Sequence, residues 1–175
     1  MEGIENTNLD KKYFRIDEKY KDYPGVFQFD IFSNGHFYSY GFALSYATAS
    51  LEEEWLYLID NPDKEFCVFL RSKNDDGLFS ISTDMHFEDE EQATRFYIYS
   101  ADIATLKMNK KLFLSDIAMR SPEDSKEYQP FRDVMEWFKH LVVIFPDSKF
   151  SGITQLLDDN NEKTRLENLL NYFDT

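Results

Sequence analysis

The chain has 175 residues, enough for one domain that buries a core without disulfide or metal staples. Hydrophobic residues make up 42% and aromatics 17%, which excludes a disordered chain, and the formal charge of −14 disfavours DNA or RNA as a direct ligand. Its one cysteine, Cys67, excludes an internal disulfide and fits a reducing, cytoplasmic setting.

Residues 1–25 read as a polar N-terminal arm that ends at the Pro24-Gly25 break. Met1-Glu2-Gly3-Ile4-Glu5 lacks the basic-then-apolar order of a signal peptide. From 26 to 86 the pattern predicts an antiparallel β meander. Phe27, Phe29 and Ile31 alternate as on a strand. Asn34-Gly35 is a strong hairpin signal, and His36 to Phe42 is the return strand. Gly41 within it predicts a bulge or a close backbone approach. The small residues of Ala43 to Ser50 read as a connection, Glu54 to Ile59 as a third strand and Asn61-Pro62-Asp63 as a turn. Glu65 to Arg71 predicts a fourth strand with Phe66, Val68 and Leu70 on one face and Cys67 as a buried, inert thiol. Another turn, 73–77, precedes a short fifth strand at 78–82.

The remaining 87–175 read as mainly helical, completing an α+β fold in one compact domain. Glu88-Asp89-Glu90-Glu91 predicts a solvated helix start, while Phe96 to Tyr99 is ambiguous between helix and strand. Phe113, Leu114, Ile117 and Ala118 mark a helix over 111–119. Tyr128, Phe131, Met135 and Phe138 mark another over 127–139. Leu141 to Phe145 reads as one further buried strand, and Leu166, Leu169, Leu170 and Phe173 as the face of a last helix near 162–173. No apolar run approaches the ~20 residues of a membrane span, so no membrane contact is expected.

Sites for chemistry are sparse. None of the six glycines precedes a lysine at P-loop spacing. The apolar run to Phe145 followed by Pro146 and Asp147 departs from a Walker B strand, because proline intervenes and Ser148 replaces a second acid. Asp84, His86 and Glu88 alternate, so on a strand they would face one way and offer oxygen and nitrogen ligands, although no fourth ligand is evident. No nucleophile elbow and no Ser-x-x-Lys set is present. Of the aromatic stripe Phe37, Tyr38, Tyr40, Phe42, Trp55 and Tyr57, the last two are the candidates for a partner contact. No catalytic, nucleotide-binding or metal residue is assigned.

Several segments together resemble one family. They are Tyr13 to Asp17, Phe27 to Ile31, Asn34-Gly35, Tyr38-Ser39-Tyr40-Gly41-Phe42 and Glu53-Glu54-Trp55-Leu56-Tyr57. Leu112 to Ser115, Glu136-Trp137-Phe138, Pro146-Asp147-Ser148 and Leu169 to Thr175 extend the match. These patterns resemble the bacterial AAA15-type ATPases, also described as ABC-like or overcoming-lysogenization-defect-like ATPases. The resemblance implies an internal segment of such a protein, with the P-loop expected before residue 1 and the later catalytic motifs after residue 175. It also implies a parent that hydrolyses ATP with magnesium and acts in phage defence beside a nuclease partner. The segment itself would have no ATPase activity alone and no cofactor. It would serve as an accessory module that contacts the rest of the parent. Two alternatives stay open: a stand-alone acidic inhibitor that mimics nucleic acid, motivated by the acidic runs at 52–54 and 88–91, and a small metal-dependent enzyme built on Asp84, His86 and Glu88.

Overall fold

Two residues with positive φ, Asn34 at 50° and Gly35 at 85°, reverse the chain between its first two strands. That is the conformation a two-residue hairpin needs, and Asn-Gly adopts it at low cost. The computed structural model describes residues 20, 22–61, 64–74, 76–104, 109–142, 163–165 and 167–168. The chain divides into two compact units, Met1–His140 and Leu141–Thr175, and the first holds the whole sheet and the three helices packed on it.

Five strands, β1 (Gly25–Ser33), β2 (His36–Ser45), β3 (Ser50–Asn61), β4 (Lys64–Lys73) and β5 (Phe79–Ser82), form one antiparallel sheet in the order β1-β2-β3-β4-β5. The three helices come after it in the chain: α1 (Glu90–Ile103), α2 (Phe113–Arg120) and α3 (Gln129–His140). The α+β class with an N-terminal meander is therefore present as the sequence predicts.

Apolar alternation decides which sheet face is covered. Ile31, Tyr38, Tyr40, Leu56 and Phe69 are buried against Phe96, Ile103, Phe113, Ile117, Phe131 and Val134 of the helices. Phe69 lies at the centre, stacked on Phe131 at 5.6 Å and edge-on to Phe113 at 5.0 Å. Such aromatic pairs add ~0.5–1.5 kcal/mol each beyond area burial.

Three register shifts move the sheet away from simple alternation, one of them between Ile59 and Asn61 at the end of β3. Between β2 and β3 the register slips after Ala43, where Leu44 pairs Leu51 and Ala43 pairs Glu53. This extra residue, Glu52, lets β3 begin at Ser50, four residues earlier than the sequence suggests. Between β3 and β4, Leu56 pairs Phe69 but Tyr57 pairs Cys67, so Val68 is bulged. The bulge corrects the expected face of β4. Phe66, Phe69 and Arg71 share the side of Leu58, Leu56 and Glu54, while Leu70 lies opposite with Trp55. Gly41 is not at a bulge; it marks a close approach instead. A Cβ there would clash with the Trp55 ring and sit 2.6 Å from the Phe27 carbonyl oxygen.

The ambiguous stretch at 96–99 is helical. Phe96, Tyr99 and Ile103 are buried on one face of α1, and the Asp89 carboxylate caps it by accepting the Glu91 amide at 2.9 Å. Leu141 and Val142 come after α3 outside any regular element, and Val143 to Phe145 of the expected strand lie outside the described residues. Of the expected last helix, 163–165 and 167–168 are helical, and the face of Leu166, Leu169, Leu170 and Phe173 lies outside the described residues.

Candidate functional site

Trp55 and Tyr57 sit two apart on β3 and therefore share one face of the sheet, the one opposite the helices. Both are half-buried. The Trp55 ring lies across Gly41 on the neighbouring strand, which explains why residue 41 has no side chain. Tyr57 opposes Ser39 on one side and Cys67 on the other. In the next row Phe32, Phe37 and Ile59 line up across three strands. Phe32 and Phe37 are each 59% exposed, with ring centroids 4.7 Å apart. None of α1, α2 and α3 packs on this side: their contacts to the sheet run through Phe29, Tyr40 and Phe69 on the other.

The charges on this face have one sign. Asp30, Glu53 and Glu65 occupy outward positions by register with Tyr57, Ala43 and Ile59 and their neighbours. The cations of the five strands, Lys64, Arg71 and Lys73, alternate onto the helix side with Phe66 and Phe69. The result is an apolar patch edged by carboxylates.

Cys67 is half-buried rather than fully buried. Burial, then the nearby Asp84 carboxylate, pushes its thiol up, against a hydrogen bond with Tyr57. A thiol so placed is held protonated and is a poor nucleophile. Burial likewise raises the Tyr57 hydroxyl.

Asp84, His86 and Glu88 are each exposed, while Met85 and Phe87 between them pack on the core. However, the segment is not a strand, and Asp84 is engaged elsewhere. Its carboxylate accepts the Cys67 amide at 3.1 Å, and its own amide donates to the Cys67 carbonyl at 2.9 Å. Among the described residues no group of three potential ligands is gathered for a metal.

Two polar clusters escape a reading of the sequence. Glu54 is fully buried on the helix side of β3. Its carboxylate accepts the amides of Phe113 at 2.6 Å and Leu114 at 3.0 Å, the Tyr40 hydroxyl at 3.1 Å and the Arg71 guanidinium at 3.4 Å. It thus caps α2, whose own N-cap residue, Leu112, has no side chain to do so. Burial pushes the Glu54 carboxyl up, opposed by these donors, and the same burial pushes the Arg71 guanidinium down. Arg71 also donates to the Lys111 carbonyl at 2.7 Å and lies over the Phe79 ring. One signal was available in the sequence: Glu54 holds an inward position in phase with Leu56 and Leu58.

Asp133 of α3 is buried too, and ties the hairpin tip to the helix. It accepts Tyr38 Oη at 2.7 Å, Asn34 Nδ2 at 2.7 Å and Gln129 Nε2 at 2.6 Å. Burial and then the Asp133 bond hold the Tyr38 hydroxyl far above the ordinary phenol range. A cleft of about 350 Å3 opens beside it, lined by Asn34, Ser121, Asp133, Glu136 and Lys139 among others. Within it Lys139 pairs with Glu136 at 2.9 Å. Both clusters hold helices to the sheet; neither brings a base and a nucleophile together.

Compared with protein-family models, curated proteins and solved structures, the chain matches none.

Proposed function

We propose that this chain is a partner-contact module without catalysis of its own, and that the outer sheet face around Trp55 and Tyr57 is its contact surface. The reading is carried by the patch of Phe32, Phe37, Trp55, Tyr57 and Ile59, bordered by Asp30, Glu53 and Glu65 and by no strand cation. Exposed aromatic patches of this kind mark interaction sites, and the single sign of charge sets the complement. The partner is a protein surface with an apolar centre and a rim of lysine or arginine. The resemblance to AAA15-type ATPases supplies its identity: the remainder of an ATP-hydrolysing parent, to which ATP and magnesium belong.

The test has two arms. The gene is read on both sides of this segment for an in-frame glycine-rich loop ending in Lys-Ser or Lys-Thr. Its absence refutes the ATPase parent. In the full-length product, Phe37→Lys is then introduced at the exposed patch. ATP turnover is expected to fall several-fold, with the melting temperature of the isolated 175-residue chain unchanged. Unaltered turnover, or equal loss of stability in the isolated chain, refutes the contact surface.

A further inference from the structure

β1 is an edge strand whose outer side has no partner among the described strands. It runs nine residues, Gly25-Val-Phe-Gln-Phe-Asp-Ile-Phe-Ser33, in unbroken register with β2. Proteins ordinarily blunt such an edge with lysine, proline, a bulge or a short strand, because its unpaired amides and carbonyls template another chain. None of those devices is present in β1. It also presents apolar side chains, with Val26 63%, Phe27 38% and Phe32 59% exposed.

We infer that the open edge of β1 receives an extended segment of another protein, which joins the sheet as a sixth strand, apolar toward the helices and cationic beside Asp30. Main-chain pairing is the chemistry the edge offers, and side-chain alternation sets the sequence it accepts. On the helix side an incoming residue meets Phe27 and Phe29. Phe27 stacks on Phe42 at 5.1 Å, and Phe29 abuts the rings of Trp137 and Phe138 at 6.4 and 5.0 Å. An apolar side chain continues that layer. On the outer side it meets Val26 and Phe32 toward the strand ends and, between them, Gln28 and Asp30, joined at 3.3 Å, with no cation in β1 to answer the carboxylate. Lysine or arginine fits there. A second copy of this chain fits poorly, because it brings its own Asp30 and a further charge of −14 to the same edge. The inference goes beyond the contact-face reading: it uses the backbone of β1, not the side chains of Trp55 and Tyr57.

The probe is a capped nine-residue peptide of alternating valine and lysine, titrated into the isotope-labelled 175-residue chain and followed by amide NMR and hydrogen exchange. The expected result is saturable binding, with alternate amides of β1 exchanging at least tenfold more slowly. Asp30→Lys, at an exposed position, should weaken binding at least tenfold. A peptide N-methylated at alternate residues should not bind. A Trp55→Ala/Tyr57→Ala variant should bind as before, which separates this surface from the sheet face. Four results each overturn the inference: no saturable binding; shifts without slowed exchange in β1; equal binding of the N-methylated peptide; or β1-dependent dimers in sedimentation without peptide.

Discussion

Removing the Glu54 side chain tests whether its acceptor oxygens or its charge hold α2 to the sheet. In Glu54→Ala the amides of Phe113 and Leu114 lose their acceptor, as do the Tyr40 hydroxyl and one contact of Arg71. Each buried amide left unsatisfied costs roughly 1–3 kcal/mol, and breaking a buried ion pair from one side costs roughly 3–5 kcal/mol. These losses overlap at one site, so the expected total is about 4 kcal/mol, a third or more of a typical domain's stability. Glu54→Gln keeps an acceptor carbonyl in the same shape and should cost clearly less, because burial already favours the uncharged form. The pH dependence has a definite sign. A carboxyl raised in the folded state contributes stability that is fully present below its unfolded value and lost as pH rises through its folded value. Wild type should therefore lose stability relative to Glu54→Gln as pH rises from about 4.5. Urea unfolding followed by tryptophan fluorescence and circular dichroism measures both effects. With a slope of about 2 kcal/mol per molar, the alanine variant's midpoint should fall by about 2 M. Equal destabilisation by glutamine and alanine, or a wild type that gains on Glu54→Gln with rising pH, would refute the reasoning.

Gly41→Ala should destabilise by about 1–3 kcal/mol in the same urea assay, since the new Cβ meets the Phe27 carbonyl at 2.6 Å and the Trp55 ring. Burial raises the Tyr128 hydroxyl to about 12, so the stability it contributes is present below pH ~10 and lost as pH rises through about 12. Alkaline melting of Tyr128→Phe should show a shallower fall in that window, and superimposable curves would contradict it. Zinc or manganese should leave the melting temperature unchanged, because Asp84 is already bonded to the Cys67 amide. Saturation at a hundred times a dissociation constant would instead stabilise by ~2.7 kcal/mol and revive Asp84, His86 and Glu88 as ligands.

The hairpin at Asn34-Gly35 and the helices α2 and α3 were legible because their signals are local: turn chemistry, and apolar spacing of three and four. For α1 the acidic start was legible, but Phe96 to Tyr99 read equally as strand. The start of β3 and the face of β4 were not. Both depend on bulges, at Glu52 and Val68, that exist only in the pairing of two strands. Glu54 looked like one acid in an acidic run. Its role depends on amides 59 and 60 residues further on, which no local pattern announces. Asp133 is similar, since its partners Asn34 and Tyr38 lie 99 and 95 residues away. Trp55 and Tyr57 were placed on one face by strand periodicity alone. That this face stands clear of the helices required the folded arrangement.

The bond between Asn34 and Asp133 also sets an order of events during synthesis. The hairpin leaves the ribosome first and can close by itself, yet Asn34 and Tyr38 lack Asp133, and Phe29 and Tyr40 lack the Phe138 ring, until α3 emerges about a hundred residues later. At translation rates of roughly 5–20 residues per second, that interval lasts about 5–20 s. Through it Phe29, Tyr38 and Tyr40 lack the partners that α3 supplies, an interval in which neighbouring nascent chains can reach them.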